Sequence, residues 1–288
     1  MAATPPNLAL FDAASRGDLE AALEALSLGA NPNYCCSKGE GSPSAIHLLS
    51  TVGPNGDERA AAACAKELIN RGAMVDATLG SNLNTPLHLA AAAGKQSVCK
   101  VLLARGANPS AVNSFGNTPL HLAAHSGSAN VAELLLNHGA DATSQNHRGS
   151  TALHFVACLI PRNASADTDD AGSGMMKIAQ LILERGKADA NAVDINGHSP
   201  LHVAAQRGCD ALVALLVCVG NGDLTLRSGI DAKSRGGRNA RQMAIFGEQM
   251  GTAALIERME VLAGAFRCST EGNSRSMRKV LEYEAALS

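Results

Sequence analysis

The sequence predicts an all-α protein in which short helix–turn–helix units repeat along the chain and stack into a solenoid. Two observations support this fold class. A four-residue phrase recurs at a fixed step of 33 residues, and periods of roughly 20 to 50 residues are typical of stacked repeats. The apolar residues are mostly Ala and Leu, which favour helices with small, closely packed cores.

The repeated phrase begins with Thr or Ser and ends with His. It reads Thr85-Pro-Leu-His88, and it returns as Thr118-Pro-Leu-His121 and as Thr151-Ala-Leu-His154. Degenerate copies precede it as Ser44-Ala-Ile-His47 and follow it as Ser199-Pro-Leu-His202. A second phrase, Gly-Ala followed by Asn or Asp, closes the Leu-rich segment of several copies. Two phrases that travel together indicate one structural unit repeated along the chain.

The copy that starts at Thr118 shows how each unit folds. Thr118 is suited to cap the first helix, and Pro119 suits the first helical position, where no N–H donor is needed. Gly127 ends that helix. A second helix is expected over residues 129–137, and Gly139 is expected in the left-handed conformation that stops it.

These motifs resemble the ankyrin repeat family: the 33-residue period, the Thr-Pro-Leu-His core, the Ala-Ala and Gly after it, and the Leu-rich segment closed by Gly-Ala-Asp. The resemblance implies an ankyrin-repeat solenoid with projecting β-hairpin-like loops, such as residues 113–117. It predicts an ankyrin-repeat domain of about seven repeats over residues 3–266 and a C-terminal capping helix or tail over residues 267–288. Insertions are expected near residues 53–60, 160–174 and 221–233.

The resemblance also assigns the histidines of the repeated phrase a structural task, which is to hydrogen-bond the loops of adjacent repeats. No His-Glu-x-x-His or Cys-x-x-Cys pattern is present. The eight cysteines are scattered and are expected to be small buried hydrophobic residues. The sequence therefore predicts no metal site, no cofactor and no catalytic residue, and the protein is expected not to be an enzyme.

Composition and charge exclude other classes. The chain has 24 basic and 26 acidic residues, so the net charge is −2 and no DNA binding is expected. Only seven residues are aromatic, which argues against an aromatic-lined pocket. The longest apolar run, near residues 211–219, is about half of a membrane span, and no secretory signal is visible. We expect a monomer that is not secreted, has no membrane partner, and is located in the cytoplasm, the nucleus or both.

The resemblance implies that a partner protein binds a concave face made of loop tips and first-helix ends. Phe115 and Ile195 are apolar side chains at loop tips that the fold does not obviously need, and such residues with a polar rim are typical binding hot spots. The predicted partner-binding set is Phe115, Asn117, His125, His147, Arg148, Ile195, His198 and Arg207. The function predicted from it is that of a non-enzymatic scaffold or adaptor.

Alternatives stay open at this point. The loop-tip apolar residues could instead pack against the next loop. The acidic insertion 160–174 and the basic segment 226–241 are either solvated loops or further contact sites. A different function, a sensor of a small ligand or of single-stranded RNA, would need aromatic residues beside Lys or Arg. Phe115 and Arg148 are the basis for that alternative.

Overall fold

The computed structural model describes residues 5–35, 42–51, 58–161, 171–219 and 238–268. These residues form fourteen α-helices and no β-strand, which confirms the predicted all-α fold class. The chain divides into two compact halves, residues 1–141 and 142–288. Each half is a stack of helix pairs, so the helix–turn–helix repeat is the building unit in both.

The N-terminal half contains four helix pairs. Their helices are α1 Pro6–Arg16 and α2 Leu19–Ser27, α3 Ala45–Thr51 and α4 Glu58–Asn70, α5 Pro86–Ala92 and α6 Gln96–Ala104, and α7 Pro119–Ser126 and α8 Ala129–Asn137. A single 3₁₀ turn, Gly80–Asn82, precedes α5. The first helix of each pair packs on the first helix of the next pair, and the second helices pack on each other in the same way.

The C-terminal half contains three helix pairs with the same packing. Their helices are α9 Ala152–Leu159 and α10 Ala171–Glu184, α11 Pro200–Arg207 and α12 Asp210–Val219, and α13 Ala240–Phe246 and α14 Met250–Cys268. Each half therefore has two layers, one of first helices and one of second helices.

Local sequence signals explain the helix ends. Thr85 caps α5 by accepting a hydrogen bond from the His88 N–H, and Ser199 caps α11 in the same way. Gly127 ends the first helix as predicted, and Gly139 after the second helix has the predicted left-handed conformation, at φ 84°. The second helix that the sequence placed at residues 129–137 is α8, with the predicted bounds.

The core is built from Leu and Ala, as the composition indicated. Leu87 and Leu102 are fully buried between helix pairs. Ala90 and Ala91 of α5 are also fully buried, and the same holds for their counterparts in α7 and α11. Because Ala is small, neighbouring first helices can approach closely at these positions, and the loops that follow them are held at a fixed spacing.

The predicted insertions lie mostly outside the described residues. The described helix α4 begins at Glu58, so residues 58–60 are helical, and α10 begins at Ala171, so residues 171–174 are also helical. Residues 52–57, 162–170 and 220–237 fall outside the description, and with them the whole insertion predicted at 221–233. The predicted tail begins inside α14, which continues to Cys268, and residues 269–288 are not described.

The last helix pair differs from the others on the side that faces away from its neighbour. Arg241 of α13 stands where α5, α7 and α11 carry a buried Leu. Its Nη2 lies 2.7 Å from a carboxylate oxygen of Glu257, and its Nη1 lies 3.9 Å from Glu260. This ion-paired cluster makes that face of α13 and α14 polar.

Candidate functional site

One Asn or Asp side chain holds each of three projecting loops in shape. Asn113 Oδ1 accepts hydrogen bonds from the backbone N–H groups of Phe115 and Asn117, each at 3.0 Å. The Asn113 N–H in turn donates to the Asn117 carbonyl at 3.0 Å. The loop is closed by turn hydrogen bonds and not by a strand ladder, so it is hairpin-like only at its tip.

The same loop geometry recurs in the C-terminal half. Asn146 Oδ1 accepts from the N–H groups of Arg148 and Ser150, and Asp194 Oδ1 accepts from those of Asn196 and His198. Sequence reasoning missed this role of the acceptor residue. A signal was available, because an Asn or Asp stands five residues before the Thr or Ser of each of these three repeats.

The histidines of the repeated phrase join each helix to the next loop, as the resemblance implied. The Nε2 atom of His88 lies 3.0 Å from the Asn117 carbonyl oxygen, and that of His154 lies 3.0 Å from the His198 carbonyl oxygen. His47 makes the same contact with Ala77, and His202 makes it with Arg238. These contacts tie the loops to the buried starts of the first helices.

Burial and hydrogen bonding keep these imidazoles neutral. The Thr85 N–H points at His88 Nδ1, 3.2 Å away, so Nδ1 must be the acceptor and Nε2 must carry the proton. Burial lowers the pKa of His88, and it lowers the pKa of His47 and of His154 in the same way, although each Nε2 contact opposes the shift. These residues act as neutral structural links.

Three residues of the predicted set lie in the N-terminal half. Phe115 is at the tip of its loop, with 58% of its surface exposed. Asn117 is half-buried, and its carbonyl accepts from His88, so this residue supports the loop as well. His125 is exposed in the last turn of α7. The neighbouring loop is close, because the Ser114 N–H donates to the Asn82 carbonyl at 3.0 Å.

The other five residues of the set lie in the C-terminal half. His147 and Arg148 are exposed at one loop tip, and Ile195, with 50% of its surface exposed, is at the next. The two tips are in direct contact, since the Ile195 N–H donates to the Arg148 carbonyl at 2.9 Å. His198 is half-buried at the base of the second loop, and Arg207 is exposed in the last turn of α11.

Sequence reasoning missed Phe246, which extends this surface by one repeat. Phe246 is the last residue of α13 and is 57% exposed, and the Arg238 guanidinium lies 4.0 Å above the centre of its ring. Gly247 follows it, and a Cβ there would overlap the Gln206 carbonyl. The end of α13 therefore lies against the end of α11, beside Arg207. The signal was the alignment of Phe246 with His125 in the repeat.

The cysteines only partly follow the expectation that they are buried. Cys64, Cys99 and Cys209 are buried, and burial raises the pKa of Cys64 to about 11 and that of Cys99 to about 12, which leaves both as inert thiols. The expectation is wrong for Cys35 and Cys158, which are exposed.

The described residues show neither a metal site nor a membrane-spanning helix. Among the described residues, no group of three His, Cys, Asp or Glu side chains has the arrangement of a metal site. In the same part of the chain, no helix combines the length and the apolar composition that crossing a bilayer requires.

Comparison with known proteins agrees with the geometry. A family model described as ankyrin repeats in many copies matches residues 87–136, and a model of the single ankyrin repeat matches residues 196–228. No curated protein matches the chain. The first matched segment covers nearly all of α5 to α8, in the N-terminal half. The second contains α11 and α12, in the C-terminal half. The stacked helix pairs, the His-linked loops and these two matches together show that the chain belongs to the ankyrin repeat family.

Proposed function

We propose that this protein is a non-enzymatic scaffold or adaptor that binds a partner protein through its loop tips and the ends of its first helices. Ankyrin repeats are generally protein–protein interaction modules and are generally not enzymes. We further propose that the protein acts as a monomer in the cytoplasm, the nucleus or both. The eight residues of the predicted set are the proposed contact residues.

The observation that carries the proposal is the exposure of Phe115 and Ile195. Both side chains are on loop tips whose backbone is held by another residue, Asn113 in one loop and Asp194 in the other. Neither apolar side chain is needed to hold its loop, yet each leaves half or more of its surface in water. Exposed apolar anchors on a fixed backbone are typical of binding hot spots.

Rigid loops also favour binding energetically. A flexible loop must be ordered when a partner binds, and each immobilised side chain costs about 0.5–1.5 kcal/mol. Here the loop tips are already fixed by their Asn or Asp acceptor and by the His contact at their base, such as that of His154 with His198. The ordering cost is therefore largely met before the partner arrives.

A second candidate function, binding of single-stranded RNA, is favoured by one observation. Stacking of bases on aromatic rings beside Arg is the usual basis of such binding, and Arg238 lies over the Phe246 ring. That guanidinium covers one face of the ring, which leaves one face for a base. A protein partner makes fuller use of the apolar and polar tips, so we place it first.

The test is affinity capture from a native lysate with the full-length chain. The wild type is compared with Phe115→Ala/Ile195→Ala and with His147→Ala/Arg148→Glu. We expect a discrete protein that binds the wild type and is reduced about tenfold or more with either variant, since a hot-spot anchor contributes about 2 kcal/mol. Direct binding of the recombinant partner then confirms the contact.

Val112→Ser/Val193→Ser is the matched control. These two side chains lie in the same loops, one residue before Asn113 and Asp194, and are 62% and 46% exposed. The control is expected to keep the partner. A partner lost equally in all variants, or kept in all of them, contradicts the proposed surface. RNA captured in place of protein would support the second candidate.

A further inference from the structure

Leu83 occupies a loop position at which other repeats have glycine. It lies two residues before Thr85, the residue that caps α5. Three later repeats have a left-handed glycine at that position, namely Gly116, Gly149 and Gly197. Leu83 has φ 53°, which is in the same left-handed region. A Leu rarely adopts this conformation, whereas a glycine adopts it readily, so the backbone at Leu83 is strained.

Contacts with the next loop hold the strained loop in place. The Ser114 N–H donates to the Asn82 carbonyl at 3.0 Å, and Asn113 Nδ2 donates to Asn84 Oδ1 at 2.9 Å. Strain of this kind persists only where surrounding contacts fix the backbone. The two contacts use main-chain groups and Asn side chains, so neither of them needs the side chain of Leu83.

The side chain of Leu83 extends the exposed apolar surface at Phe115. Leu83 is 44% exposed and Phe115 is 58% exposed. The Ser114–Asn82 hydrogen bond joins their neighbours in the chain and brings the Cα atoms of Leu83 and Phe115 within about 10 Å of each other. Strained residues cluster at functional sites, so an exposed Leu in place of a glycine indicates that its side chain has a task outside the fold.

We propose that Leu83 and Phe115 form an anchor site for an uncharged apolar segment of the partner protein. This inference rests on the proposed function, adds Leu83 to its contact residues, and specifies the chemistry of the partner at this point.

The elements that carry the anchor site have no charged residue. Residues 77–94 and 106–132 include both loops and the helices α5 and α7, and they contain no Asp, Glu, Lys or Arg. Their exposed residues include Asn82, Ala92 and Ala93. A charged side chain placed against these elements would lose hydration and find no opposite charge on them, which is unfavourable. The complementary ligand is therefore a segment with Leu, Ile, Phe or Met and no charge where it touches the site.

The experiment selects ligands without assuming a partner. A phage library of random twelve-residue peptides is panned on the full-length protein, and the consensus peptide is then synthesised with a fluorescent label. We expect at least two apolar residues in the consensus and no Asp, Glu, Lys or Arg. Because salt screens only charges, the Kd from anisotropy titrations should change less than about twofold between about 0.05 and 0.5 M NaCl.

Leu83→Gly separates binding from folding. It removes the side chain and relieves the strain, so the Kd of the consensus peptide should rise about tenfold, while the urea midpoint stays equal or rises. Leu83→Ala removes the side chain and keeps the strain, so it should weaken binding equally without raising the midpoint. The matched control is Leu28→Ala, because Leu28 is 65% exposed in the same half, after α2. It should bind the peptide within about twofold of the wild type.

The outcomes separate the anchor site from the proposed function. A lower urea midpoint for Leu83→Gly shows that the side chain serves the fold and overturns the anchor site. A peptide that loses binding with Phe115→Ala and keeps it with Leu83→Gly overturns the anchor site and leaves the proposed function standing. A peptide that binds both variants as well as the wild type overturns both proposals for this half.

The chemistry of the ligand is tested by the same peptides. A consensus with charged residues, or a Kd that rises more than about tenfold in high salt, overturns the uncharged segment. A library that yields no enriched sequence, or a labelled oligo-uridine that binds more tightly than the peptide, overturns the anchor site.

Discussion

Replacing His88 tests how the repeats are joined. His88 is fully buried. Its Nδ1 accepts from the Thr85 N–H at 3.2 Å, and its Nε2 donates to the Asn117 carbonyl at 3.0 Å. The last repeat shows how the first contact is made without an imidazole, because Gln242 stands in the same position and its Oε1 accepts from the Asn239 N–H at 2.9 Å. His88→Gln is therefore expected to keep the first contact and to lose the second.

The two contacts have different expected costs. His88→Gln removes one of the two hydrogen bonds to the Asn117 carbonyl, which still accepts from Asn113. The free energy of unfolding should fall by about 1 kcal/mol, the net value of one hydrogen bond. His88→Ala also leaves the Thr85 N–H buried without an acceptor, which adds about 1–3 kcal/mol. The expected total for Ala is therefore about 2–4 kcal/mol.

Urea unfolding followed by circular dichroism at pH 7.5 measures both costs. His147→Ala, at an exposed loop tip, is the control and should change stability by less than about 0.5 kcal/mol. If the Gln and Ala variants differ by less than that amount, the division into a capping contact and a loop contact is wrong. If both match the wild type, the histidine links do not stabilise the stack.

Three further predictions concern acid, one helix end and one loop contact. Folding lowers the pKa values of His47, His88 and His154, so the unfolded chain takes up protons first as the pH falls. The free energy of unfolding should therefore be constant above about pH 6.5 and decrease below it. Urea midpoints that do not change from pH 7.5 to 5.5 would contradict this. Glu248, at φ 60°, stands where four other repeats have a left-handed Gly, so Glu248→Gly should raise stability by about 0.5–1 kcal/mol in urea unfolding. A loss of stability would show that its side chain has a role. Gly149, at φ 70°, packs against the backbone of Asp194. Gly149→Ala should therefore lower the free energy of unfolding by more than about 1 kcal/mol and speed amide hydrogen exchange at Ile195. Unchanged exchange at Ile195 would contradict the close contact between the two loops.

The sequence was sufficient for the parts of the fold that repeat. The period and the caps predicted α8 with its bounds, the left-handed Gly139 and the fold class. It was insufficient where one repeat departs from the others. Phe246 ends a helix whose phrase, Asn239-Ala-Arg-Gln, shares no residue with Thr-Pro-Leu-His, so its alignment with His125 was overlooked.

The sequence predicted which residues lie on the exposed loop tips, but it did not predict which residues contact one another there. Exposure of Phe115 and Ile195 follows from their place at loop tips. That Arg148 touches the next loop, or that Arg238 covers a ring, depends on side-chain reach and on the close approach at Gly247. Those distances arise from packing between repeats, which no single repeat encodes.

The ion-paired face of the last helix pair has a consequence for how such an array can grow. Interior pairs carry a buried Leu or Ile at the position of Arg241, so a duplicated pair inserted among them would meet apolar surfaces. A pair added after α14 would instead bury Arg241 with its carboxylates Glu257 and Glu260, and desolvating such a cluster is costly. Lengthening by internal duplication is therefore open to this lineage, whereas lengthening beyond α14 first requires these charges to be replaced. Exchanging Arg241 and Glu257 for Leu would remove these charges and make this position match the interior pairs.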